Sequence, residues 1–73
     1  MTRLPVVSGQ KAVRAFKKLG WEFDRQHGSH MILVKPGHLA SLSVPDHDEL
    51  AKGTLRKLIA CAGLTVEEFV DAL

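Results

Sequence analysis

Gly28-Ser29-His30 is the run of this 73-residue chain whose residue types can do acid–base chemistry. A histidine ordinarily titrates near pKa ~6.5, so at neutral pH it can take or give a proton, and one well-placed group of this kind contributes about 10²–10⁴-fold. Ser29 can donate a hydrogen bond to an anionic oxygen, and Gly28 lets a ligand approach the backbone closely. Arg25 and Lys52 offer the positive charge that steadies a phosphoryl group as its own charge develops. Spacing alone favours a plainer reading of His30, as a surface or hydrogen-bonded histidine where a strand begins. Of the other histidines, His47 sits in a loop and is a second candidate for proton transfer or ligand contact. His27 reads as a turn residue and His38 as a solvated loop residue. His27-x-x-His30 is too sparse for zinc, which wants four ligands with cysteines or close pairs, so no metal or other cofactor is expected.

The elements that must position these residues follow from periodicity. Residues 8–19 read as a helix that Ser8 can cap, with Ala12, Phe16 and Leu19 on one face beside Val13 and with Gly20 ending it. Lys11, Arg14 and Lys18 fall on another face, with Lys17 close by, and residues 8–20 hold these four cations and no acid. Such a face is an electrostatic footprint for phosphate or for an acidic partner, although a solvated helix face is the commoner cause. Trp21 to Gln26 alternates as a strand, with Trp21, Phe23 and Arg25 on one side. His27-Gly28-Ser29 forms a turn, His30 to Lys35 a second strand, and Ala40 to Val44 a third that Pro45 stops. Residues 46–53 read as a loop. Thr54 is placed to cap a second helix with Leu55, Leu58, Ile59 and Ala62 inward, Lys52, Arg56 and Lys57 positive at its start and outer face, and Gly63 at its end. Gly53-Thr54 can also offer free helix-start N–H groups to a phosphate. Thr65-Val66-Glu67-Glu68 is a capping box, and Leu64 with Phe69 the matching hydrophobic staple, for a short third helix.

Two helices on one face of a three-stranded antiparallel sheet make an α+β, α-β-β-β-α(-α) arrangement like the double-stranded-RNA-binding fold, within a single domain over residues 1–73. Fold alone does not fix function. A chain this short buries only about 60% of its unfolded surface, so a shallow site for a polymer suits it better than a deep cavity. Composition is that of an ordinary globular protein, 45% hydrophobic and 25% charged, with net charge +2 and pI near 9.0. Cys61 has no partner for an internal disulfide, the opening Met1-Thr2-Arg3-Leu4-Pro5 lacks a signal-peptide pattern, and no stretch approaches the ~20 apolar residues of a membrane span. A cytoplasmic protein is expected.

Several motifs together carry a resemblance. They are Leu4-Pro5-Val6-Val7-Ser8-Gly9, Leu19-Gly20-Trp21, Arg25-Gln26-His27-Gly28-Ser29-His30, Val44-Pro45-Asp46-His47, Glu49-Leu50-Ala51-Lys52-Gly53-Thr54-Leu55-Arg56, and Ala62-Gly63-Leu64-Thr65-Val66-Glu67-Glu68-Phe69. Over essentially the whole chain the sequence resembles the HicA (YcfA-like) toxins, small ribonucleases of toxin–antitoxin modules. The resemblance implies the fold just described, messenger RNA cleavage without the ribosome, and neutralisation by a HicB-type antitoxin that covers the active site. It makes His30 the catalytic histidine, amid the RNA-binding candidates Arg25, Gln26, Gly28, Ser29, Lys52, Thr54 and Arg56.

RNA suits such a site because it carries its own nucleophile. Removing the 2′-hydroxyl proton, steadying the phosphorane and protonating the leaving 5′-oxygen require no metal in principle. A metal-independent endoribonuclease with mRNA as substrate is the leading reading. A non-catalytic RNA-binding module of the same fold is the alternative, and an interaction protein with basic surfaces is a third.

Overall fold

In the computed structural model, which describes residues 3–73, the chain runs α1 (Gly9–Lys18), β1 (Glu22–His27), β2 (His30–Val34), β3 (Leu42–Pro45), α2 (Lys52–Cys61) and α3 (Val66–Asp71). Met1 and Thr2, part of the opening read above for a leader, lie outside the described residues. The strands form one antiparallel sheet in the order β1-β2-β3. The α+β class and the helix, three-strand, helix order expected from the sequence are observed.

Local chemistry explains most boundaries. Ser8 caps α1 by accepting from the Lys11 N–H at 3.1 Å. At the other end Gly20 takes φ 101°, and the Lys35 ammonium donates to the Leu19 carbonyl at 3.5 Å, where the helix presents unpaired carbonyls and negative potential. The capping box of α3 is complete: Thr65 N–H donates to Glu68 Oε1 at 2.9 Å and Glu68 N–H to Thr65 Oγ1 at 3.1 Å. Ala12, Val13, Ala15 and Phe16 of α1 and Leu55, Leu58 and Ile59 of α2 join Met31, Leu33, Leu42 and Val44 of the sheet in one apolar cluster. Phe69 ties α3 to it through a tilted ring contact with Phe16, centroids 5.1 Å apart.

Four expectations need correction. α2 begins at Lys52, so Thr54 lies within its first turn and does not cap it; Ala51 is the N-cap residue and makes no side-chain cap bond. The earlier start follows from Leu50, which is buried and fixed to Val7 by an N–H···O=C bond of 2.9 Å, so the chain turns into helix directly after it. β1 does not alternate strictly, because its register slips between Phe23 and Arg25. A bulge at Asp24 puts Phe23 opposite Leu33 and Arg25 opposite Ile32, so these two side chains no longer share a face. β3 is shorter at its start and includes Pro45, which an outer strand tolerates because its missing N–H need not serve a ladder. His38 is half-buried, with Nδ1 3.1 Å from the Ala40 carbonyl and its ring edge-on to Trp21 at 4.9 Å.

The helix layer meets the end of the sheet at Gly9. Its N–H donates to the His47 carbonyl at 2.9 Å, and a Cβ built on Gly9 would lie 2.0 Å from the Pro45 carbonyl oxygen. Neither atom can move without shifting α1 or β3. Gly53, at the second position of α2, has open space around it. Gly9→Ala should therefore destabilise the protein by about 1–3 kcal/mol through overpacking. Gly53→Ala should stabilise it by about 0.4–1 kcal/mol by restricting the unfolded chain. Denaturant titration of both variants checks the opposite signs; equal effects would contradict the close approach.

Candidate functional site

The β1–β2 connection is the tightest turn in the sheet. His27 pairs with His30, so only Gly28 and Ser29 lie between the strands. Gly28 has φ 61° while Ser29 keeps a negative φ, the pattern of a two-residue hairpin with glycine at its first central position. Gly28 is thus required by the turn itself, and a Cβ there would meet no atom within 4 Å, so a ligand can approach this backbone from solvent. The Gln26 amide donates to the Gly28 carbonyl at 3.1 Å and braces the turn.

The hairpin end does not stand alone. His30 pairs with Pro45, and the Asp46 N–H donates to the Ser29 carbonyl at 2.7 Å, extending the β2–β3 ladder past the strand end. His47 follows and is anchored by its carbonyl to Gly9. Leu50, anchored to Val7, leads through Ala51 into Lys52 and α2. Backbone hydrogen bonds therefore join the hairpin, the 45–47 segment, the α1 start and the approach to α2 in one continuous path.

The sheet face away from the core carries the chemistry-bearing side chains. Directly opposed residues share a face, so the register aligns Arg25, Ile32 and Ser43 in one row and His27, His30 and Pro45 in the next, at the sheet end. Met31, Leu33, Leu42 and Val44 point the other way, into the core. His27, Ser29, His30 and His47 are all exposed, and among the described residues no hydrogen bond or ion pair engages the rings of His27, His30 or His47. Arg25 is ion-paired with its neighbour Asp24, which leaves its guanidinium partly committed. Lys52 and Arg56 are exposed on one side of α2, a turn apart, and have no acidic partner among the described residues. Thr54 is half-buried, and the N–H groups of Lys52, Gly53 and Thr54 open the helix with no acid in its first turn.

Two residues beside the candidate site have a placement that the sequence reading did not assign. Gly9 shows its importance only through the atom it approaches. His27 reads from the sequence as a turn residue spaced so that its imidazole could meet that of His30, and the observed two-residue turn makes the two direct cross-strand partners.

A second surface lies apart from the histidines. Lys11, Arg14 and Lys18 flank a groove of about 340 Å³ whose apolar lining includes Val6, Ala15 and Leu73. Val6 is 61% and Leu73 45% exposed, so this lining is open to solvent. No helix among the described residues is long and apolar enough to cross a membrane.

A family model described as the HicA toxin of bacterial toxin–antitoxin matches residues 9–64. Among solved structures, the chain is similar to a chain of a toxin–antitoxin complex from Streptococcus pneumoniae, at 30% identity and a TM-score of 0.72, covering 80% of this chain and 98% of that one. No curated protein matches it. The matched span contains the hairpin, the 45–47 segment and all of α2, and on that extent of agreement the chain belongs to the HicA toxin family.

Proposed function

We propose that this toxin is an endoribonuclease that cleaves messenger RNA without a metal, with His30 as a catalytic acid or base. The observation that carries the reading is the placement of His30: an exposed imidazole, free of partners among the described residues, at the open end of the sheet. A phosphodiester laid across this end would lie over the Gly28-Ser29 turn, within reach of the Ser29 hydroxyl. Arg25, one row back, supplies positive charge. His47, on the neighbouring segment, makes a further RNA contact. Lys52, Arg56 and the free N–H groups up to Thr54 take flanking phosphates, and Gln26 supports the turn from beneath.

The partner reading has its own support. The similar solved chain comes from a toxin–antitoxin complex. We propose that this chain is likewise held by a protein antitoxin of HicB type that covers the hairpin end. The groove of Lys11, Arg14 and Lys18 gives such a partner a second, acid-seeking surface with an aliphatic floor.

Purified toxin should degrade messenger RNA in EDTA, and His30→Ala should lose about 10²–10⁴-fold in cleavage rate while still binding RNA. Binding without cleavage by the wild type would instead favour a non-catalytic RNA-binding module. Lys52→Ala and Arg56→Ala should each weaken RNA binding and lower the slope of log affinity against log salt by about one, as measured by fluorescence anisotropy. Unchanged slopes would remove α2 from the interface. Co-expression with the product of the neighbouring reading frame should yield a complex that blocks cleavage, weakened by reversing charge at Lys11 and Arg14. Cleavage unaffected by that product would contradict the partner assignment.

A further inference from the structure

Cleavage through the 2′-hydroxyl needs two proton transfers, and His30 can make only one of them at a time. We infer that the second proton-transfer group on this chain is His27, so that His27 and His30 act as an acid–base pair across the hairpin. The inference rests on the proposed ribonuclease reading and adds a catalytic residue to it.

The register is the main ground. His27 and His30 are direct cross-strand partners flanking a two-residue turn. Direct partners on one face hold their Cβ atoms about 4.5–5.5 Å apart. From that spacing, two imidazoles standing off the same face can reach opposite sides of one phosphodiester. The turn between them is fixed by the positive φ of Gly28 and by the Gln26 amide on the Gly28 carbonyl, so the spacing is set by backbone and not by flexible loop. Both residues are exposed, and among the described residues neither ring is held by another group. His47 competes for the role, but its backbone is drawn toward the α1 start by the bond to Gly9, and no strand register sets it opposite His30.

The proton balance closes without a co-reactant. One neutral imidazole takes the 2′-hydroxyl proton as O2′ bonds to phosphorus. The opposite imidazolium gives its proton to O5′ as the P–O5′ bond breaks. The products are a 2′,3′-cyclic phosphate and a 5′-hydroxyl, with the two histidines in exchanged protonation states. The charged and titratable groups around the pair are Arg25 with its partner Asp24 on β1, and Asp46 and His47 on the segment after β3.

The test is the pH–rate profile of kcat/KM on a short RNA, for wild type, His27→Ala, His30→Ala and His47→Ala. Thermal unfolding of each variant reports whether it is folded. The wild type should give a bell-shaped profile. His27→Ala should fall by about 10²-fold or more and lose one limb of the bell, as a single acid or base is removed. His47→Ala should raise KM and keep both limbs. A substrate with sulfur at the bridging 5′ position has a leaving group that needs no acid, and it should restore one of His27→Ala and His30→Ala but not the other. A His27→Ala enzyme with the full bell and near-wild-type rate overturns the inference, as does loss of a limb in His47→Ala in its place. Inactive His30→Ala beside normal His27→Ala would sink this pairing alone. A wild type that leaves RNA whole would overturn both it and the ribonuclease reading.

Discussion

The close approach of the α1 start to the end of β3 is the constraint on which the rest of the structure depends. Gly9 donates to the His47 carbonyl, and a methyl group at this position would collide with the Pro45 carbonyl. This contact fixes the segment after β3 against the helix layer. The same segment, one residue earlier, holds the Ser29 carbonyl through Asp46. The hairpin end is thus braced from the core side although its side chains face solvent. In this small chain, whose one cysteine is free, backbone hydrogen bonds position the turn, and the apolar cluster packs beneath β2 and β3.

Charge is distributed to match that architecture. The described residues contain one ion pair, Arg25 with Asp24, and the remaining cations of α1 and α2 stand free of acids. Free surface ammonium and guanidinium groups contribute little to stability. Such groups can attract a polyanion or an acidic partner, and two surfaces offer them: the α2 start, along the path to the hairpin, and the α1 groove. Their different residues let the proposed RNA site and part of the proposed antitoxin surface be altered independently.

Much of the fold was legible in the sequence because its signals are local. Ser8, Gly20 and the Thr65–Glu68 box each act within a few residues of themselves, and each ends or begins an element as expected. The misread features depend on contacts distant in sequence. Ala51 opens α2 without a cap bond because Leu50 is tied to Val7. The Asp24 bulge is set by pairing with β2, and His38 is drawn inward by Trp21. In the candidate site, the Gly28-Ser29-His30 run stood out by residue type. That His27 and His30 could come together was legible in their spacing, while their direct cross-strand register depended on the turn length.

The most direct measurement of the proposed chemistry is the nature of the RNA ends that the toxin leaves. Histidine-driven attack by the 2′-hydroxyl predicts a 2′,3′-cyclic phosphate on one fragment and a 5′-hydroxyl on the other, with no cut where the scissile nucleotide is 2′-deoxy. Fragments with 3′-hydroxyl and 5′-phosphate ends, or cleavage at a 2′-deoxy position, would contradict it.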